Sequence, residues 1–287
     1  RWFIIGVLPQ GPAAKAGLLT GDEVVAIAGH PVAADLVGAL AGTAGQNVVL
    51  TIRRQPQGPA MDVTIVPRKV QPMAAFREAL GASARVIERG SARIGYLRVW
   101  SWTGDEMSAE LRGAIGELNR QKLTGFILDI RDGWGGAPPW DLAIFDRRIP
   151  VLESRDRKGN VHRLDSQIRV PAVILINGGS RSGKEVIAFG AKKYGLARLV
   201  GEKTAGAVLP GTPFCLDDGA LLYLAVASNT VDGEWLEGRG VAPDVEVPFD
   251  IRHAAGRDPQ LEAAIRELTG TGTTGPPSPG PNPAEQK

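Results

Sequence analysis

The run Asn177-Gly-Gly-Ser-Arg-Ser-Gly-Lys-Glu185 has the residue types and spacing to hold a nucleophile. It follows the strand-forming run Pro171-Ala-Val-Ile-Leu-Ile176 and precedes a helix-forming run from Glu185 to Lys193. A buried strand, a Gly-rich turn and a serine at a helix N-terminus expose a hydroxyl. The unpaired helix amides there favour developing negative charge. A serine that only caps a helix has the same local pattern, so the surrounding sequence must decide.

The elements around this turn read as an α/β (α+β multidomain) chain. Residues 1 to about 69 are β-rich, with turns at Gly11–Leu18, Gly21 and Gly29–Val32 and strands at Val48–Arg53 and Asp62–Val66. Asp35 to Leu40 can start a helix, and Pro67 and Pro72 flank a linker. From Ile94 the pattern becomes strand (Ile94–Val99), amphipathic helix (Thr103–Leu118, with Met107, Leu111, Ile115 and Leu118 on one face) and buried strand (Phe126–Ile130). That order is a crossover unit. Trp140 to Phe145 reads as helical, and Ile174–Ile176 and Ala197–Val200 bracket the helix after the serine turn. Strands follow near Leu221–Ala227 and Val245–Pro248, then a helix over Asp258–Leu268. The domains expected are 1–69, 70–270 and a Gly/Pro-rich tail, 271–287, predicted to be disordered.

Composition removes several classes of function. The 33 basic and 31 acidic residues of this 287-residue chain leave a net charge of +2, with no basic run to hold nucleic acid. No apolar stretch reaches the roughly 20 residues needed to cross a membrane. No signal peptide is visible, because Arg1-Trp-Phe-Ile-Ile5 reads as a strand. The single cysteine, Cys215, excludes an internal disulfide and reads as a small core residue. Three scattered histidines give no zinc site, and neither a metal nor a cofactor is expected.

Five blocks carry a resemblance. Gly11-Pro-Ala-Ala-Lys-Ala-Gly-Leu-Leu-Thr-Gly-Asp-Glu-Val-Val-Ala-Ile-Ala-Gly29 resembles a bacterial-type PDZ domain. Asp129-Ile-Arg-Asp-Gly-Trp-Gly-Gly136, Ser180–Glu185, Gly201-Glu-Lys-Thr-Ala-Gly206 and Glu237-Gly-Arg-Gly-Val-Ala-Pro-Asp244 resemble, in order and content, the carboxyl-terminal processing (tail-specific) serine proteases. The resemblance implies a PDZ domain followed by a crotonase-like α/β core. It implies Ser182 as nucleophile, three residues before Glu185, with Ser180 shaping the turn. Gly135 and Gly136 correspond to the block that supplies an oxyanion-hole amide, and Gly183 would give the second donor. Gly135 also counts as substrate-binding. Arg131 and Asp132 read as partners that stabilise their loop.

The chain departs from the pattern at the proton acceptor. Ala207 stands where the family has its lysine base, and Gly211 stands where a glutamine usually follows. Four replacements are conceivable. Lys203 reads as a surface lysine, Lys184 as a residue facing away from Ser182 on the helix, and His162 as a surface histidine in a hairpin. Glu237 has two readings. It matches the glutamate of the catalytic group in tricorn-type relatives, and it is equally a structural carboxylate near Arg239. The PDZ-like part begins too late to contain the family's carboxylate-binding loop, leaving Leu36, Val37 and Leu40 to line a groove or to pack in the core.

Three functions follow as expectations. One is a serine endopeptidase acting on protein or peptide substrates through their C-termini, with a proton acceptor other than lysine. A second is an inactive relative that binds proteins as a scaffold, or a form whose lysine at 207 has been replaced. The third, an apolar-ligand carrier, has no aromatic stretch to support it. A homo-oligomer or an adaptor protein stays open as a partner. The family resemblance implies an extracytoplasmic site, periplasmic or exported.

Overall fold

A computed structural model describes residues 1–32 and 36–270, without the side chains of Leu36 and Val37. The tail 271–287 and its expected disorder lie outside the described residues. The chain divides into two units: Arg1–Ala82 with Phe249–Pro259, and Ser83–Pro248 with the residues from Gln260.

In the first unit, strands β1 (Trp2–Phe3), β2 (Glu23–Ile27), β3 (His30–Pro31), β4 (Val48–Arg53) and β5 (Met61–Ile65) form one antiparallel sheet. Helices α1 (Pro12–Lys15), α2 (Leu36–Leu40) and α3 (Pro72–Ser83) accompany it. Val48, Leu50 and Ile52 alternate inward with the period of two that a half-buried strand requires. They meet Leu18, Ile27 and Ile65 in a small core, and Leu40 packs against that core half-buried. Helix α3 begins at Pro72, where the expected linker ends, and its helix-forming run Met73–Leu80 extends from that proline. The returning segment is tied in by the His253 amide, which donates to the Gly21 carbonyl at 2.8 Å.

The second unit is built on a six-stranded sheet that gathers the chemistry at one edge. In chain order its strands are β6 (Arg85–Arg89), β7 (Ala92–Arg98), β8 (Gly125–Asp129), β11 (Ala172–Ile176), β12 (Arg198–Gly201) and β15 (Val245–Glu246). All neighbours from β7 to β15 pair in parallel, and only the edge strand β6 is antiparallel. Every residue of β8 and β11 is buried. Such continuously buried strands suit a parallel sheet covered on both faces. Helix α4 (Asp105–Asn119) links β7 to β8 and buries Met107, Leu111, Ile115 and Leu118, the face expected from their spacing. Helix α5 (Gly183–Lys193) links β11 to β12. The last helix, α6 (Pro259–Thr269), sets Ala263, Ala264 and Ile265 against Ile94, Ile127 and Val173 of the sheet.

Residues Pro139–Phe145 form a 3-10 helix rather than an α-helix. Two hairpins stand apart from the sheet: β9 (Leu152–Arg155) with β10 (Val161–Leu164), and β13 (Gly211–Cys215) with β14 (Leu221–Ala225). Cys215 is exposed on the second hairpin rather than buried in a core. Its apolar neighbours Phe214 and Leu221 are exposed there too, so the local apolar run marks a surface ribbon and not an interior strand. No helix among the described residues is long and apolar enough to cross a membrane.

Candidate active site

The parallel strands deliver four segments to their carboxyl ends: 99–103 after β7, 130–137 after β8, 177–182 after β11 and 202–207 after β12. In open α/β sheets this edge is where ligands are met. Ser182 stands at the N-cap of α5 with φ 57° and ψ −130°. A non-glycine residue in that region is uncommon and strained, and it persists only where its surroundings hold it.

The surroundings of Ser182 are specific. Its amide donates to the Ala207 carbonyl at 2.8 Å and to Glu185 Oε2 at 3.1 Å. A Cβ on Gly135 would lie 2.5 Å from Ser182 Cβ, and a Cβ on Gly183 would lie 2.3 Å from both N and O of Ala137. Only glycine lets these two backbones approach so closely. The Gly135 carbonyl accepts from the Trp102 amide at 3.0 Å and from Thr103 Oγ1 at 3.2 Å. Because a trans peptide points its N–H opposite to its C=O, the Gly136 amide is turned away from the 102–103 segment. The Gly183 amide belongs to the first turn of α5, whose N–H groups have no partner within the helix.

Glu185 is fully buried and binds the site together. Its Oε1 accepts from Thr204 Oγ1 at 2.6 Å and from the Gly206 amide at 2.7 Å. Its Oε2 accepts from the Ala207 amide at 2.8 Å as well as from Ser182. Position 207 is therefore held directly beside the serine, and an exposed alanine occupies it.

The sequence-derived candidates separate clearly. Ser180 is fully buried; its Oγ donates to the Ile130 carbonyl and accepts from the Asn177 amide, so it shapes the turn. Arg131 and Asp132 are loop partners. Arg131 forms a two-pronged pair with Asp129 at 2.9 and 2.7 Å, and Asn177 Nδ2 donates to Asp132 Oδ1 at 2.9 Å. Burial would raise the Asp129 carboxyl, but Arg131 and Arg98 outweigh it and hold the group below the usual carboxylate range. Burial, and then the Asp129 charge, push the Tyr96 phenol up.

Glu237 is half-buried, and its Oε2 accepts from the Val208 and Leu209 amides at 2.7 and 3.0 Å. It secures the chain that leaves Ala207. Lys203 is exposed, and His162 is exposed on β10 near Asp156. Leu36 lies within α2, its side chain outside the described residues, and Leu40 packs on the core of the first unit.

Lys184 is the residue that sequence reasoning set aside. It is fully buried, and Nζ donates to the carbonyls of Val99 at 2.8 Å, Trp100 at 3.1 Å and Asp132 at 2.6 Å. Burial pushes its ammonium down to about 7. In its protonated form the ammonium gives one N–H to each of the three carbonyls and has no lone pair to take a proton from serine.

Family models match this chain for peptidase family S41 over residues 93–247 and for a PDZ domain over residues 3–54. A carboxy-terminal-processing protease of Bartonella bacilliformis is 29% identical over 262 residues, which is 85% of this chain and 58% of that protein. Tricorn protease homolog 1 of Streptomyces coelicolor is 32% identical over 286 residues, covering 92% of this chain and 26% of the homolog. Among solved structures, a photosystem II D1 C-terminal processing protease superposes with a TM-score of 0.50 at 24% identity, covering 90% of this chain and 73% of that one, a likeness of fold. The chain thus spans little more than half the length of the Bartonella protein. The chain belongs to peptidase family S41, the carboxyl-terminal processing serine proteases, and joins a PDZ domain to a mixed α/β protease core.

Proposed function

We propose that this chain is the PDZ and protease part of a serine endopeptidase in which Ser182 is the nucleophile. The observation that carries the reading is the strained Ser182 backbone at the start of α5, pressed against Gly135 with no room for a Cβ. Strain of this kind concentrates at functional sites. Ser182 Oγ attacks the carbonyl carbon of the scissile peptide. The amides of Gly136 and Gly183 hold the oxyanion, and Gly135 lies against the substrate. Glu237 takes the proton through a water and returns it to the leaving amine. The acyl ester on Ser182 is then hydrolysed by water.

Substrates are proteins or peptides engaged through their C-terminal regions, and the compartment is extracytoplasmic, periplasmic or exported. The relatives named as carboxy-terminal-processing proteases support the substrate class.

Ala207 favours a second reading, an inactive member that binds proteins as a scaffold. A serine-directed fluorophosphonate separates the two. Labelling of the wild type that vanishes in Ser182→Ala supports the hydrolase, and loss in a folded Glu237→Gln assigns the proton to the glutamate. A wild type that neither labels nor cleaves peptides at any pH leaves the scaffold.

A further inference from the structure

Three backbone carbonyls from two separate segments point at one place behind the Ser182 turn. Val99 and Trp100 directly follow β7, and Asp132 opens the loop that carries Gly135 and Gly136. Clustered carbonyl oxygens repel one another unless a donor sits among them. Lys184 Nζ supplies one N–H to each, from a side chain with no exposed surface. Lys184 also lies two residues after Ser182, on the first turn of the same helix.

The remaining contacts of the loop converge on the same segments. The Trp134 amide donates to the Trp100 carbonyl at 2.8 Å, and a Cβ on Gly133 would lie 1.8 Å from that oxygen. The Trp102 amide holds the Gly135 carbonyl at 3.0 Å. On its other side the loop is tied to the serine turn by the Asp132 amide, which donates to Asn177 Oδ1 at 3.0 Å. Lys184 is thus the one side chain that joins the serine's own helix to both segments at once among these contacts.

We propose that Lys184 is a positioning residue: its buried ammonium clamps the 132–136 loop to the end of β7 and so sets the Gly136 amide in register with Ser182. The proposal rests on the hydrolase reading for its catalytic consequence, but its structural core does not. A neutral side chain of similar length fills the same space and leaves three carbonyls without their donor. The loop then gains freedom while the sheet beneath it stays in place.

The test uses Lys184→Met, with a fluorophosphonate probe and amide hydrogen exchange of residues 131–137. In the folded variant the maximal labelling rate falls by about tenfold or more, because a displacement near 1 Å costs that much, while the probe concentration for half-maximal rate stays within about threefold. Exchange at 131–137 accelerates while β8 and β11 stay protected. A purely stabilising lysine would lower the melting temperature and leave both the labelling of folded molecules and the local exchange unchanged, which overturns the proposal. If the wild type itself does not label, the hydrolase reading fails, and the exchange result alone decides the clamp. If Lys184→Met does not fold, Lys184→Gln, which keeps two N–H donors, takes its place. Failure of both to fold overturns the proposal and assigns the residue to stability alone.

Discussion

The Ser182 amide donates to the Ala207 carbonyl at 2.8 Å, so the position that resemblance assigns to a lysine base is in backbone contact with the nucleophile. Ala207 is exposed, so the wall of the site has space for a longer side chain. Ala207→Lys should raise the fluorophosphonate labelling rate. A positioned general base contributes about 100-fold or more, and a tenfold gain would already register it. An unchanged rate in a folded Ala207→Lys protein would mean that this position does not serve proton transfer here.

Glu185 ties Ser182, Thr204, Gly206 and Ala207 together through one buried carboxylate. Glu185→Ala leaves Thr204 Oγ1 and the Gly206 and Ala207 amides without their acceptor, while the Ser182 amide keeps the Ala207 carbonyl. The expected loss of stability is about 3 kcal/mol, measured as a lower urea midpoint with an unchanged slope. A loss below about 0.5 kcal/mol would show that water replaces the carboxylate without cost.

Gly135 and Gly113 form a matched pair. A Cβ on Gly135 meets Ser182 Cβ at 2.5 Å, whereas a Cβ on Gly113, exposed on α4, meets nothing within 4 Å. Gly135→Ala should cost about 1–3 kcal/mol and suppress labelling of Ser182. Gly113→Ala should stabilise by about 0.5–1 kcal/mol and leave labelling alone. Equal effects of the two in calorimetry would contradict the close approach at 135.

Lys184 also shapes the dependence of stability on pH. Its folded-state value is lowered, by burial first, from 10.5 to about 7; the charges of Asp129 and Asp132 act in the opposite sense, and those of Arg98 and Arg181 in the same sense. Between about pH 7 and 10.5 the unfolded chain holds a proton that the folded chain has released. Stability must therefore rise with pH through that window. Lys184→Met removes this contribution, so the difference in unfolding free energy between wild type and variant should change with pH over the same interval. A difference that is flat from pH 7 to 10 would show that the lysine keeps its ordinary titration.

Much of this site was legible before any coordinates. The strand–turn–helix around Ser182 announces itself because a continuous apolar run, a Gly-rich turn and a helix former each have a distinct local signature. Ala207 was found as a departure because neighbouring motif residues fix its place in the order. Lys184 was not legible. Spacing gives the angle between two residues on a helix but not which side is buried, and the first three residues of α5 all face inward. The left-handed backbone of Ser182 left no trace either, since it follows from contacts with Gly135 and residue 207 that lie far away in the chain. Cys215 misled for the opposite reason: a run of apolar residues looks the same on an exposed hairpin as in a core. Helix α3 had a signal in Met73–Leu80, a helix-forming run that starts at the proline closing the linker.

The parallel sheet acts as a gauge for these loops. Four strand ends each hand over one part of the site, and each residue along a strand advances it by about 3.3 Å and reverses the side chain. One residue inserted in β8 would move Gly135 by roughly that distance relative to Ser182 on β11's extension and turn Asp129 to the opposite face. The tolerance of the chain to insertions and deletions is therefore divided. The hairpin tips can lengthen freely, whereas the count of residues inside β7, β8, β11 and β12 is fixed by the chemistry at their ends.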